Sequence, residues 1–246
     1  MEVHAHPHTA RKKWTHYFWE FLMLFLAVFC GFLAENIRER SVERHREKQF
    51  IASLISDLKL DTAGFARSIT FKKGRQLDID SVLYPLTKMR ENKLQLGQCI
   101  ILLQTVGNPY FFSNNGTIQQ LKGSGGMRLI SNRKVVDSIE SYDFQIRRIM
   151  LRQEEINSFS QHELGRIIDK FIPSKDYFEE RYDSVYQEKT YDPQKIMKVN
   201  SIYINELINR LMDIKEQNNF EIWLYTDTKD KAENIIHFLK QEYHLE

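Results

Sequence analysis

The first pattern along the chain is a run of apolar residues near the N-terminus. From Phe21 to Ala34 the chain reads FLMLFLAVFCGFLA, without a charged residue. These fourteen residues form a helix of about 21 Å, which is shorter than the ~30 Å hydrocarbon core of a bilayer. Extending the helix back to Trp14 lengthens it to about 31 Å and places aromatic side chains at headgroup level. The pattern therefore predicts a transmembrane anchor over residues 14–35.

Two observations test this interpretation. Glu20 opposes insertion, but ten Leu, Phe and Val residues between Phe18 and Leu33 supply about −3 to −6 kcal/mol against a penalty below ~3 kcal/mol. A cleaved signal peptide has an equally short apolar core, yet Phe32 stands where cleavage after Ala34 requires a small residue. A buried helix of a soluble protein is the third interpretation. We expect a retained anchor.

Small residues within the anchor could bring two membrane helices together. Ala27, Gly31 and Ala34 lie on one helical face, and small residues at such spacing allow close approach of helices. We treat them as candidate association residues. The alternative is that these residues face lipid and have no role in association, because small residues are common in membrane helices.

Charges on the two flanks give opposite indications of orientation. The C-terminal flank is the more basic one, and a strict positive-inside count would place the large domain in the cytoplasm. Long domains, however, cross largely regardless of charge, and a short basic tail such as Arg11, Lys12 and Lys13 commonly stays inside. We expect a single-pass protein with a cytoplasmic N-terminus and an extracytoplasmic C-terminal domain.

Beyond the anchor the pattern changes from charged to amphipathic. Val42 is the only apolar residue between Arg38 and Gln49, which predicts a charged helical stalk over residues 36–49. From Phe50 onwards, apolar residues recur every three or four positions, as on the buried face of a helix. We expect an all-α fold in which the transmembrane helix and stalk continue into a bundle of about four to five helices over residues 50–246.

Pro, Gly and Asn mark the predicted breaks between these helices. The segment 107–117, GNPYFFSNNGT, is predicted to be a loop. Pro85 is predicted to start or kink a helical segment. The helical pattern from 202 to 243 is predicted to break near residues 218–219 or at Asp227.

The clearest helical pattern follows Asn132, a candidate cap. Apolar positions from Val135 to Ile156 alternate in steps of four and three, and the pattern skips Gln153. Pro173 is predicted to end this helical stretch.

The glycine-rich stretch LKGSGGMR is a candidate ligand contact. Glycine-rich backbones form anion-binding nests, and here Lys122 and Arg128 flank the glycines. The phosphate-binding loop requires GK followed by Ser or Thr after a strand, and this stretch lacks that pattern. The alternative is a purely structural role as a tight turn between two helices, in which Gly123, Gly125 and Gly126 adopt positive φ angles.

The N-terminal tail, residues 1–13, is basic, His-rich and expected to be flexible. His4, His6 and His8 alternate, and imidazoles so spaced are weak candidates for binding Zn²⁺, Ni²⁺ or Cu²⁺. Adventitious binding by a disordered tail is the alternative, because no carboxylate or cysteine closes the site. His162 begins HELGR, which lacks the second histidine of a zinc protease motif. We expect no cofactor.

The charge balance narrows the classes of function. Residues 50–246 carry 27 basic and 27 acidic side chains, whereas nucleic-acid binding requires a net basic surface. No nucleophile with a base partner is recognisable, so we assign no catalytic residue. Two classes remain: a non-catalytic interaction or scaffold protein that binds a protein partner or a second copy of itself, and a ligand-sensing helical module that uses the glycine-rich turn.

Four stretches together resemble a group of uncharacterised single-pass bacterial envelope proteins. They are HTARKKWTHYFWEFLMLFLAVFCGFLAENIRER, EKQFIASLISDLKLDT, TIQQLKGSGGMRLISN and the closing HFLKQEYHLE. The resemblance implies a membrane-anchored α-helical domain. It implies no activity, cofactor or catalytic residue.

Overall fold

A computed structural model describes residues 14–183, 187–188 and 190–245. The chain divides into two compact units, Met1–Phe50 and Ile51–Glu246. It is mostly helical, as the amphipathic patterns predicted. The first element, α1 (Trp14–Lys88), contributes residues to both units.

In the first unit, α1 is long and apolar enough near its N-terminus to cross a membrane. Its large apolar side chains there are exposed, and residues 36–49 are helical. Beside the apolar stretch, the Arg38 guanidinium donates to the Glu35 carboxylate at 2.9 Å. The single apolar span predicted from the sequence therefore exists as a helix of sufficient length.

The second unit contains the rest of α1 and every later element. Besides two 3₁₀ turns, Gly126–Leu129 and Ser201–Tyr203, the described elements are β1 (Lys93–Gln95), α2 (Leu96–Val106), α3 (Gly116–Gly123), α4 (Arg133–Phe159), α5 (Arg166–Phe171), α6 (Ser174–Arg181), β2 (Ile196–Lys198) and α7 (Ile204–Tyr243). A π-helical turn, Ser160–Gly165, joins α4 to α5. The predicted Asn132 cap is present, since its side chain accepts from the Lys134 amide at 2.9 Å, and α5 stops before Pro173.

A short antiparallel ladder is the feature that an all-α expectation missed. Leu94 of β1 pairs with Met197 of β2, and both side chains are buried. Each strand has three residues, so period-two alternation is too short to be read from the sequence. The ladder forms because tertiary packing brings the two segments together.

Two predicted helix breaks are absent. Pro85 lies inside the last turn of α1, where its missing N–H removes one hydrogen bond close to the natural end of the helix. α7 runs unbroken through Asn218, because that side chain donates to the Lys72 carbonyl at 2.8 Å and to Gln76 at 2.9 Å. Asp227, the other predicted break, pairs with Lys231 one turn later at 2.7 Å.

The core of the second unit combines side chains distant in sequence. Aliphatic residues of α1 and α2 are fully buried with others from α5 and α7. The group includes Ile79, Val82, Leu96, Leu102, Ile167, Phe171, Leu207 and Leu211. Burying such side chains stabilises the fold by about 1.5–3 kcal/mol each, which explains why these helices pack in spite of their charged outer faces.

Candidate functional site

The loop between α2 and α3 is irregular, as predicted, but side chains of the helices fix it in place. Phe111 at its centre is buried and stacks on Phe65 with ring centroids 4.0 Å apart. Gln153 accepts from the Phe111 amide at 2.5 Å and donates to its carbonyl at 3.1 Å. A Cβ at position 64 would lie 2.9 Å from the Phe111 ring, so Gly64 permits this close packing.

One buried carboxylate, Asp61, holds the second half of this loop. It accepts from the Ser113 hydroxyl at 2.6 Å, the Asn114 amide at 2.6 Å and the Tyr142 hydroxyl at 2.7 Å. The Asn114 side chain adds a bond at 3.0 Å. Burial, with Asp61 beside it, raises the pKa of Tyr142 far above its usual value, so its hydroxyl remains a donor. We call these residues the Asp61 cluster.

A second buried polar group, the Lys72 cluster, joins α1 to α7. The Lys72 ammonium donates to Glu221 at 2.7 Å, and both side chains are about 2% exposed. The same ammonium donates to the Asn108 side-chain oxygen at 3.1 Å, and the Tyr225 hydroxyl lies 3.4 Å from the other Glu221 oxygen. Burial lowers the pKa of Lys72, whereas Glu221 acts in the opposite direction.

Arg75 adds a second cation to the Lys72 cluster. The residue is 6% exposed, its guanidinium donates to the Thr105 carbonyl, and Glu221 is the carboxylate within its electrostatic range. Burial lowers the pKa of Arg75 as well. Its Nε and the Asn108 amide nitrogen are buried donors without a hydrogen-bond partner in the described part of the chain. The cluster is therefore rich in unused donors.

A cavity of about 800 Å³ lies beside these donors. Arg75 and Asn108 line it together with apolar side chains, among them Phe71, Ile101 and Pro109. Clefts of roughly 300–1,000 Å³ that combine apolar walls with a few polar groups are the usual sites for small molecules. The Arg75 cavity is thus a candidate small-molecule site.

At the glycine-rich turn, contacts and backbone angles give several residues a structural role. Lys122 forms an ion pair with the buried carboxylate of Asp143. Gly125 has φ 70°, in the left-handed region, and Arg128 lies against it. Gly126 is buried, and Gly123 ends α3 with open space around it. The structure places none of these five residues in the lining of the Arg75 cavity. Ligand binding at the turn stays a prediction.

The other candidates from the sequence lie apart from both clusters. Ala27, Gly31 and Ala34 are exposed on α1, and a Cβ on Gly31 would meet no atom within 4 Å. Helix association through them stays a prediction. His4, His6 and His8 lie outside the described residues. Within the described ranges, no group of three or more His, Cys, Asp or Glu residues is arranged to hold a metal ion.

The surface between α4 and α7 exposes aromatic and arginine side chains. The Arg152 guanidinium lies 5.6 Å from the Phe220 ring centroid, and the Phe220 and Trp223 centroids are 5.6 Å apart. Trp223 is 58% exposed, and neighbouring Leu151 is 69% exposed. A cleft of about 440 Å³ is lined by Arg148, Leu151, Arg152, Glu155, Phe220 and Leu224, and Trp223 lies next to it through its ring contact with Phe220. We call this surface the arginine–aromatic cleft.

Sequence reasoning missed Asp61, Lys72 and Arg75, although a signal existed. These three residues continue the spacing of three and four that begins with the apolar residues of α1 and resumes at Ile79. A charged residue at a core position of an amphipathic helix is a candidate for a buried, paired group. The sequence interpretation followed only the apolar positions and so passed over these charged ones.

No protein-family model, no curated protein and no solved structure matches this chain. The resemblance to single-pass envelope proteins therefore stays an expectation.

Proposed function

We propose that this protein is a membrane-anchored, non-catalytic interaction or scaffold protein of the bacterial envelope. Residues 14–35 form the anchor, residues 36–49 the stalk, and residues 50–246 a bundle of about four to five helices that binds another protein. The inner membrane is the proposed location, with the helical domain extracytoplasmic. The exposed apolar surface of residues 14–35 supports the anchor, because lipid is the environment in which such a surface is stable.

The arginine–aromatic cleft is the observation that carries the proposed function. Trp and Arg are enriched among the residues that dominate binding energy at protein interfaces, and Phe is enriched at interfaces in general. Here Arg152, Phe220 and Trp223 lie side by side on the surface of two packed helices. Such a surface offers a protein partner a preformed site with little ordering cost.

Site-specific photo-crosslinking in intact cells tests the partner. A benzophenone amino acid placed at Trp223 should yield a crosslinked product of defined mass, which Arg152→Glu should reduce. Ile202, which is 84% exposed, is the matched control position and should yield none. A product at twice the chain mass identifies a second copy, and another reproducible mass identifies a different protein. Equal products at both positions, or none at Trp223, would contradict the proposal.

Labelling with an impermeant maleimide tests the proposed orientation. Ser158 is exposed on α4, so Ser158→Cys in a Cys30→Ser, Cys99→Ala background supplies one accessible thiol. We expect labelling in intact spheroplasts. Labelling that requires lysis would place the domain in the cytoplasm and contradict the proposed location.

A further inference from the structure

The buried side chains of the Lys72 cluster include two cations and one carboxylate. Lys72 and Arg75 are two buried cations, and both are within electrostatic range of Glu221. Lys72 already occupies one Glu221 oxygen at 2.7 Å. Because an uncompensated buried charge is strongly unfavourable, the second cation is stabilised by any anion that reaches it.

The unused donors point to the same class of ligand. The Arg75 guanidinium gives one of its five possible hydrogen bonds to Thr105 in the described structure. The Asn108 side chain accepts from Lys72, which orients its amide nitrogen as a donor that has no acceptor among the described residues. Arg75 and Asn108 line the same cavity, and a planar guanidinium combined with an amide donor suits the two oxygens of a carboxylate.

The cavity determines what is attached to that carboxylate. Its volume of about 800 Å³ is far larger than a single water or inorganic ion requires. Phe71, Ile101 and Pro109 provide an apolar part of the wall, and Gln104 and Gln161 provide amides. The one carboxylate in the described lining, Asp78, is exposed to solvent. An acid with an apolar body would bury that body here and leave its charged group to the cations.

We propose that the Arg75 cavity binds a small organic acid, with the carboxylate held by the Arg75 guanidinium and the Asn108 amide. Arg75 belongs to α1, its acceptor Thr105 to α2, and Asn108 to the following loop. The bound acid therefore links three segments of the domain. Lys72 and Glu221 extend the same network to α7. This site is separate from the arginine–aromatic cleft, and it does not depend on the proposed protein partner.

Thermal unfolding of the full-length protein in detergent tests the site. Sodium benzoate and sodium octanoate are the probes, and inorganic phosphate and chloride are compared at equal ionic strength. We expect a saturable rise in Tm with at least one carboxylate. In Arg75→Gln, the half-saturating concentration should rise about tenfold or more, because a charge-assisted hydrogen bond is lost.

Asn108→Asp provides a second, nearly isosteric test. The new carboxylate keeps the Lys72 bond and places an internal anion in the wall of the Arg75 cavity, so this variant should lose the response to benzoate and octanoate. Arg133→Gln, on an exposed arginine paired with Asp137, is the matched control and should respond like the native protein.

Three results would overturn the proposal. The first is the absence of a saturable carboxylate effect on the native protein, and the second is an equal effect on Arg75→Gln and Asn108→Asp. The third is an equal, Arg75-dependent effect of phosphate, which would show a general anion site instead of one for an organic acid. None of these results bears on crosslinking at Trp223, so the two proposals fail separately.

Discussion

The Asp61 and Lys72 clusters are both buried polar groups on α1, yet they differ in how completely their hydrogen bonds are made. Asp61 receives four hydrogen bonds from the loop and α4. In the Lys72 cluster, two cations face Glu221, and the Arg75 Nε has no partner in the described part of the chain. One cluster is saturated, and the other retains spare donors at the edge of a cavity.

The difference separates structural from binding roles. A buried charge with all its hydrogen bonds made fixes one conformation and has nothing left to offer a ligand. A buried cation with unused donors is stabilised further when an acceptor arrives. Saturation of hydrogen bonds therefore distinguishes the two roles better than burial or charge alone.

The largest expected effect concerns Cys99, a buried thiol on α2. Burial raises the pKa of the Cys99 thiol to about 12, so at pH 8 its reactive thiolate is far scarcer than that of an ordinary thiol. In a Cys30→Ser background, Cys99 should resist maleimide until the protein is denatured. Ser158→Cys in the Cys30→Ser, Cys99→Ala background is the fast reference. Rapid labelling of native Cys99 would show that α2 opens, and the cavity would then lack a fixed wall.

Among the substitutions considered for stability, removal of the Asp61 carboxylate should cause the largest loss in the free energy of unfolding. Asp61→Ala leaves buried donors without an acceptor, and we expect a loss of about 4 kcal/mol in the free energy of unfolding. Denaturant titration followed by circular dichroism measures it. Asp57→Ala is the matched control, because Asp57 accepts one described bond, from the Thr117 amide at 3.0 Å, and should cost about 1 kcal/mol. Equal losses would remove the special role of Asp61.

Glu221→Gln should destabilise the protein by about 3 kcal/mol near neutral pH, because two buried cations lose their anion. Burial already holds the pKa of Lys72 below its ordinary 10.5. A lysine with a lowered folded pKa gains stability as pH rises from that folded pKa to the unfolded one, since the unfolded chain keeps the proton longer.

Without Glu221 the pKa of Lys72 in the folded protein should fall further. The rise of the free energy of unfolding with pH should therefore begin at lower pH in Glu221→Gln than in the native protein. The deficit of Glu221→Gln should therefore narrow as pH rises from neutral into the alkaline range. Unfolding titrations of both proteins at several pH values measure the gap. A gap that widens with pH would contradict the assigned ion pair.

The smallest effect on the free energy of unfolding is expected at the glycine-rich turn. There the backbone conformation of a glycine, and not a buried charge, sets the effect of a substitution. Gly125→Ala should cost about 1–2 kcal/mol, because φ 70° is unfavourable for a residue with a Cβ. Gly123→Ala is the matched control. It ends α3 in open space and should be neutral or stabilising by about 0.5–1 kcal/mol. Thermal unfolding measures both, and a neutral Gly125→Ala would show that the turn relaxes.

Local patterns predicted the elements that depend on local physics. The apolar run that ends at Ala34, the amphipathic spacing after Phe50 and the Asn132 cap each act within a few residues, and each corresponds to a helix or a helix end. The skipped position at Gln153 was visible as a break in the apolar spacing. Its cause was not, because Gln153 bonds the Phe111 backbone 42 residues away.

The amino-acid sequence by itself determined that the chain is helical and that one segment near the N-terminus is long and apolar enough to cross a membrane. Tertiary structure alone decided which charges meet. Lys72 and Glu221 are 149 residues apart, and neither local spacing nor composition distinguishes them from solvated surface charges. The low dielectric of the packed interior gives such pairs their energetic weight, and it exists only after the helices have assembled.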